Sequence, residues 1–184
     1  MRKGVLVLGF LALALPALAG TLAGVTLPDS ITVGTQTLVL NGMGVRTKMF
    51  VKVYVGGLYL EKKSTDAGAV IQADAGKRIV LQFVRDVSKD QMTEAFDESL
   101  KANGAGKAAA LKDEIAQFLG ALEPLKTGDQ FAVTYLPGAG TTVSIRGKDK
   151  VTIPGQAFGQ LVFSMWLGPK PPNGDLKKGL LGQG

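Results

Sequence analysis

Residues 41–61, NGMGVRTKMFVKVYVGGLYLE, constrain the fold of this chain more than any other stretch. They hold the longest unbroken β-pattern in the sequence. Successive side chains of a strand point to opposite faces. From Phe50 onward, Phe50, Lys52, Tyr54, Gly56, Leu58 and Leu60 therefore share one face, and Val51, Val53, Val55, Gly57, Tyr59 and Glu61 share the other. Both sets are rich in apolar or aromatic groups, which predicts a strand covered on both sides. Gly56-Gly57 in its middle predicts a bend, a bulge or the close approach of another backbone.

The remaining elements arrange themselves around that strand. Residues 25–27 are a short apolar entry, and residues 31–33 and 36–40, joined by Gly34-Thr35, read as a hairpin. Asn41-Gly42 is a turn signal. Ser64-Thr65-Asp66 offers caps for a short helix in AGAVIQAD, and residues 77–87 form the next strand, with apolar groups on both faces. Asp86-Val87-Ser88 then ends that strand and caps a helix whose Met92, Phe96, Ser99 and Leu100 share one side. Residues 107–122 predict a second amphipathic helix with Leu111, Ile115, Phe118, Leu119 and Leu122 as its stripe. FAVTYLP, TTVSIRG and KVTIPG form an antiparallel meander separated by Gly-rich turns. The apolar helix QAFGQLVFSMWL carries the single Trp, and Asp175 caps a last segment, LKKGLLG. Strands and helices are partly segregated along the chain, so the fold class is α+β: a mostly antiparallel sheet with helices on one face.

The first residues stand apart. MRKGVLVLGFLALALPALAG has Arg2 and Lys3, an apolar run and an Ala17-Leu18-Ala19 end, the three parts of a secretory signal peptide. Residues 1–19 are thus expected to be a removed leader. Residues 20–184 are expected to form one domain, exported across the inner membrane to a periplasmic location. No later apolar run approaches the roughly 18 residues of a membrane span, so none is expected in the mature form.

Composition removes several chemistries. The chain has no Cys and no His. It therefore lacks a thiol nucleophile, a disulfide framework, the commonest general base and the commonest transition-metal ligand. No metal site and no cofactor are expected. Gly138-Ala139-Gly140 lacks the following Lys-Ser/Thr helix of a phosphate loop and reads as a hairpin turn. The formal charge of +6 includes Arg2 and Lys3, and the other lysines are scattered, so no nucleic-acid stripe is expected.

Arg46 is the cation that invites a functional reading, since its neighbours are small or apolar. An unpaired buried guanidinium is costly, so it either pairs with an internal carboxylate or awaits an anionic ligand. Tyr54 and Tyr59 have opposite parity, so only one of them shares a face with Arg46.

The stretches LNGMGVRTKMFVKVYVGGLYLE, FVRDVSKDQM and SMWLGPKPPNGDLKKGLLG resemble the bacterial branch of the chalcone isomerase-like family, and the likeness runs over about residues 25–182. The resemblance implies an open-faced β-sandwich: a large, mostly antiparallel sheet backed by a layer of helices, with a ligand cleft between them. The family includes plant isomerases that close a chalcone to a flavanone with a polar network. It also includes plastid fatty-acid-binding proteins, whose Arg and Tyr hold the ligand carboxylate. Gly-x-Arg places Arg46 at the shared Arg, and FVKVY..GLYLE places Tyr54 at the binders' Tyr, where the isomerases carry Thr. The same alignment puts Met92 at the isomerase Tyr, Ser99 at its Asn and Met165 at a second Thr. The resemblance thus implies a binder of a fatty acid or similar amphipathic carboxylate through Arg46 and Tyr54. Met92, Phe96, Ser99, Met165 and Trp166 would line the cleft. The alternatives are an isomerase of chalcone-like substrates and a ligand-free interaction domain with Arg46 in an internal ion pair.

Overall fold

The alternating pattern of residues 51–60 builds the middle of a seven-stranded antiparallel sheet. A computed structural model describes residues 19–104 and 106–184. Apart from Ala19, the expected leader lies outside the described residues. A small hairpin, β1 (Ala19–Leu22) and β2 (Val25–Pro28), precedes the sheet. The sheet strands are β3 (Ser30–Val33), β4 (Gln36–Lys48), β5 (Val51–Leu60), β6 (Lys77–Phe83), β7 (Gln130–Leu136), β8 (Gly140–Ile145) and β9 (Lys148–Ile153). They pair in sequence order, each antiparallel to the next. Helix α1 (Ala67–Gln72) joins β5 to β6. Helices α2 (Lys89–Asn103), α3 (Lys107–Ala110) and α4 (Lys112–Gly120) join β6 to β7. Helices α5 (Gln156–Leu167) and α6 (Gly174–Leu180) close the chain. Among the described residues no helix is long and apolar enough to cross a membrane.

Over residues 54–60 the two parity sets of β5 enter two different cores, as the sequence predicts. Val53, placed by parity on the outer face, instead packs against the large core, because the register shift at Arg46-Thr47 makes it an extra residue. Tyr54, Leu58 and Leu60 join the large core under the helices, with Ile79, Leu81 and Phe83 of β6. Val55 and Tyr59 point the other way and pack with Val25, Leu27, Leu38 and Leu40 under the β1–β2 hairpin. That hairpin covers only part of the outer face. Further along, the outer face turns polar: Gln130 donates to Gln82 (2.9 Å), and Thr142 and Thr152 share a hydrogen bond (2.9 Å). The sandwich is therefore open-faced. Helix α5 supplies the centre of the large core. Phe158, Leu161, Val162, Phe163, Met165, Trp166 and Leu167 are all buried, each large side chain worth roughly 1.5–3 kcal/mol of burial.

Local signals place the starts of α1 and α2. Asp66 caps α1 by accepting from Ala69 N (3.0 Å). Ser88 and Gln91 form a reciprocal capping box at the start of α2, where Gln91 N donates to Ser88 Oγ (3.2 Å) and Ser88 N to Gln91 Oε1 (3.0 Å). The predicted strand over residues 77–87 ends at Phe83 as regular sheet. Val87 forms only an isolated bridge to Leu125 before the cap.

Four expectations differ. No turn forms at Asn41-Gly42, because β4 runs straight through it as far as Lys48. Asn41 is an extra residue in the ladder, between the pairs Leu40–Tyr59 and Gly42–Leu58. Its buried amide donates to Ser64 O (2.9 Å) and Leu180 O (2.8 Å) and accepts from Ser64 N (2.8 Å). Gly42 is there for close packing, since a Cβ would run into the carbonyl oxygen of Gly179, where α6 lies against β4. The real reversal is at Met49-Phe50, so β5 begins at Val51. Gly56-Gly57 is not a bulge, as the register runs evenly through it, and the missing Cβ of Gly57 admits Leu27 Cδ1 instead. The helix expected over residues 107–122 breaks at Leu111 (φ −119°, ψ 32°). Residues 107–110 bury no side chain, so nothing in the core holds their axis in line with α4. Finally, Asn173 rather than Asp175 occupies the cap position of α6.

Candidate functional site

The β4–β5 pair, α2 and the end of α5 enclose a cleft of about 840 Å³ on the helix side of the sheet. Arg46, Tyr54, Met92, Phe96, Ser99, Met165 and Trp166 all line it, so the structure brings every candidate residue to one place. That volume lies within the range usual for small-molecule sites.

Arg46 and Tyr54 are direct cross-strand partners. Directly opposed residues of an antiparallel pair project from the same face, so both face the helices. Tyr59 lies on the outer face and donates to Pro28 O (2.9 Å). Tyr54 is buried against Phe83, with ring centroids 5.4 Å apart. Its hydroxyl accepts a hydrogen bond from Trp166 Nε1 (3.1 Å). No acceptor for the phenolic proton is found among the described residues. Burial pushes the Tyr54 pKa up to about 12, partly offset by the Trp166 hydrogen bond and the Arg46 charge. The phenol therefore stays protonated at neutral pH and is a donor in waiting.

Arg46 is half-buried and donates to the neighbouring carbonyl of Thr47. No carboxylate lies within ion-pair distance of it among the described residues; the cations that do pair are Lys101, Lys126, Arg146 and Lys150. The internal ion pair considered for Arg46 is thus not formed. Its position follows from α6. Gly42 and Gly44 lie beneath that helix, and a Cβ at Gly44 would stand 2.5 Å from Leu176 O. Arg46, two residues on along the same face, is the first long side chain of β4 clear of it.

The apolar wall comes from α2 and α5. Met92 and Phe96 lie one helical turn apart on the buried side of α2. The Phe96 ring meets Trp166 edge-on with centroids 5.8 Å apart. Met165 is buried beside them, and its carbonyl accepts from Ser99 Oγ (3.2 Å), which ties α2 to α5. Ser99 is thereby committed to the scaffold.

Several lining residues were not singled out from the sequence. Arg85 adds a second cation, and Lys48 and Met49 sit at the rim from the β4–β5 turn. Arg85 was legible in principle: Ile79, Leu81 and Phe83 face the helices, and the same parity continues to Arg85. Glu94 and Glu98 of α2 form an acidic edge opposite. Among the described residues no cluster of three or more metal-ligating side chains occurs.

This layering agrees with comparisons to other proteins. The family model described as chalcone isomerase-like matches residues 19–182. The chain belongs to the chalcone isomerase-like family. Among solved structures, a fatty-acid binding protein of Arabidopsis thaliana is similar, with a TM-score of 0.70 and 17% identity, covering 89% of this chain and 96% of that one. At that identity the likeness establishes the shared fold. No curated protein matches the chain in sequence. Within this chalcone isomerase-like domain, Tyr54 and Arg46 carry the polar chemistry of the cleft floor, and thioethers stand at Met92 and Met165.

Proposed function

We propose that this domain binds a fatty acid or a similar amphipathic carboxylate in the cleft between sheet and helices. One observation carries the reading. Among the described residues Arg46 has no carboxylate partner and the Tyr54 phenolic proton no acceptor, and the two stand opposite each other in a cleft whose inner wall of Met92, Phe96, Met165 and Trp166 is apolar. A carboxylate supplies what both lack: charge for the guanidinium and an acceptor for the phenol. Met92, Phe96, Met165 and Trp166 would take the hydrocarbon. The name of the Arabidopsis thaliana neighbour supports the same ligand class.

No observation favours the isomerase alternative. The positions that align with hydroxyl and amide groups of the isomerases hold Met92, Met165 and a Ser99 already bonded to Met165 O.

Native mass spectrometry of protein purified from its own host, with lipid extraction of the bound fraction, tests the reading. A co-purifying fatty acid is expected. An empty cleft that turns over a chalcone would replace this reading with the isomerase one. Export with cleavage after Ala19 is proposed on the strength of the leader alone, and N-terminal sequencing of envelope-fraction protein tests it.

A further inference from the structure

The β4–β5 turn is built unlike the other two-residue turns of the described residues. Lys48 pairs with Val51, so Met49 and Phe50 form a two-residue hairpin loop. Both have positive φ, 48° and 67°. Such loops favour Asn-Gly, because a Cβ crowds the carbonyl oxygen in the left-handed region, which Gly avoids and the short polar side chain of Asn offsets by local hydrogen bonding. The β1–β2 loop meets the demand with Gly24, the β3–β4 loop with Gly34 and the β8–β9 loop with Gly147. The β4–β5 loop places two large apolar residues there instead.

Those two side chains project into solvent. Met49 is 84% exposed and Phe50 102%, and the adjoining Val51 is 40% exposed. These are the exposed large hydrophobic side chains of the described residues, and they are consecutive. The hairpin around them carries Arg46, Lys48 and Lys52 and no acid from residue 42 to residue 60. Lys48 and Lys52 are both exposed and flank the apolar tip. The tip is also the rim of the cleft, since Lys48, Met49 and Val51 line it.

We propose that the Met49-Phe50 tip is a membrane anchor that inserts into an anionic lipid surface. Met49 and Phe50 would enter the acyl boundary, and Lys48 and Lys52 would meet the headgroups. Exposed apolar groups flanked by cations suit this use, because burial in lipid and attraction to anionic headgroups add. Glu94 and Glu98, on the opposite edge of the cleft, are exposed and would be repelled by the same surface. The charge pattern therefore fixes one orientation, hairpin down and α2 away. In that orientation the cleft mouth opens at the bilayer, so an amphipathic carboxylate passes between leaflet and cleft without crossing water. This delivery role rests on the carboxylate-binding reading, whereas the anchoring does not.

Flotation of the purified protein with phosphatidylcholine vesicles, with and without phosphatidylglycerol, is the test. The protein is expected to float with the anionic vesicles and not with the neutral ones, and to be released by salt. Phe50→Ser should weaken flotation by at least about tenfold, and Lys52→Gln by about fivefold, the effect of one cation near an anionic surface. Met49→Asn combined with Phe50→Gly installs the favoured turn. It should abolish flotation while melting no lower than the parent, which separates lost anchoring from lost folding. A vesicle-free palmitate titration of Phe50→Ser, with unchanged affinity, would show that the cleft is intact. Failure of the parent to float with anionic vesicles, or equal flotation of Phe50→Ser, would overturn the anchor, and a tip used for a protein partner would give that result. Failure of the parent to bind palmitate would overturn the cleft reading and leave the anchor standing.

Discussion

Trp166 Nε1 donates a 3.1 Å hydrogen bond to the Tyr54 hydroxyl across the floor of the cleft. That bond fixes the oxygen's acceptor side toward α5 and leaves the proton for the cleft. Besides lining the cleft, Trp166 would therefore also influence a bound carboxylate through Tyr54. Removing one neutral hydrogen bond costs about 0.5–1.5 kcal/mol, up to roughly tenfold in affinity. Trp166→Phe should weaken palmitate binding by an amount in that range. In a Tyr54→Phe background the same substitution should have little further effect, since the coupled partner is gone. Calorimetric titration of the four proteins gives the coupling, and full additivity would show that Trp166 only fills space.

Lys77 is buried, and its ammonium caps α1 by donating to Val70 O (2.8 Å), Ala73 O (2.7 Å) and Ile71 O (3.3 Å). Desolvation lowers its pKa to about 8, although the nearby Asp74 charge raises it. Burial instead raises Tyr54, Tyr59 and Tyr135 to about 12. Between about pH 8 and the usual lysine pKa the unfolded chain binds more protons at Lys77, so stability rises with pH. From the usual tyrosine pKa of about 10 upward the folded chain holds more protons on the tyrosines, so their contribution is progressively lost. Denaturant unfolding across this range should show a stability maximum near pH 10. A monotonic fall from pH 8 would contradict the Lys77 assignment.

The tip turn stores strain that the fold does not need. Two non-glycine residues in the left-handed region cost about 2–4 kcal/mol together, at about 1–2 kcal/mol each. Met49→Asn with Phe50→Gly should recover about that amount, read as a higher denaturation midpoint with an unchanged slope. A destabilised double variant would mean that the exposed side chains support the folded state.

Helix α6 rests directly on the backbone of β4. A Cβ at Gly44 would meet the backbone of Leu176 at 2.5 Å from its carbonyl oxygen. Gly44→Ala should destabilise by roughly 1–3 kcal/mol, the usual cost of overpacking a core contact. A Cβ at Gly24 would have nothing within 4 Å, but the residue has a positive φ of 81°. Gly24→Ala therefore serves as a control that strains backbone without undocking a helix. The two variants should differ in hydrogen exchange at α6, with faster exchange in Gly44→Ala alone.

Parity in residues 54–60 was enough to assign the side chains of β5 to the correct core, because a strand offers only two directions. Val53 escaped it, since the register shift beside Arg46 makes it an extra residue and turns it to the helix side. The sequence also brought Arg46 and Tyr54 together through a likeness to known proteins, and the register supplies the physical reason. What it hid was set by distant chain. Asn41-Gly42 carries the local signature of a turn, yet Asn41 is held by Ser64 and Leu180, and Gly42 makes room for α6. Met49-Phe50 carries no turn signature and is the turn. Lys77 looks like any strand-leading lysine until α1 presents its carbonyls.

Palmitate titration paired with ligand-free melting of Arg46→Ala tests the central claim most directly. A charged hydrogen-bond partner is worth about 1.5–3 kcal/mol, so affinity should fall roughly ten- to a hundredfold. Arg46→Lys should recover only part of it, because an ammonium lacks the planar fork. Since Arg46 has no carboxylate partner among the described residues, ligand-free melting should hardly change. Unchanged palmitate affinity together with a large drop in melting temperature would make Arg46 a structural residue and contradict the account.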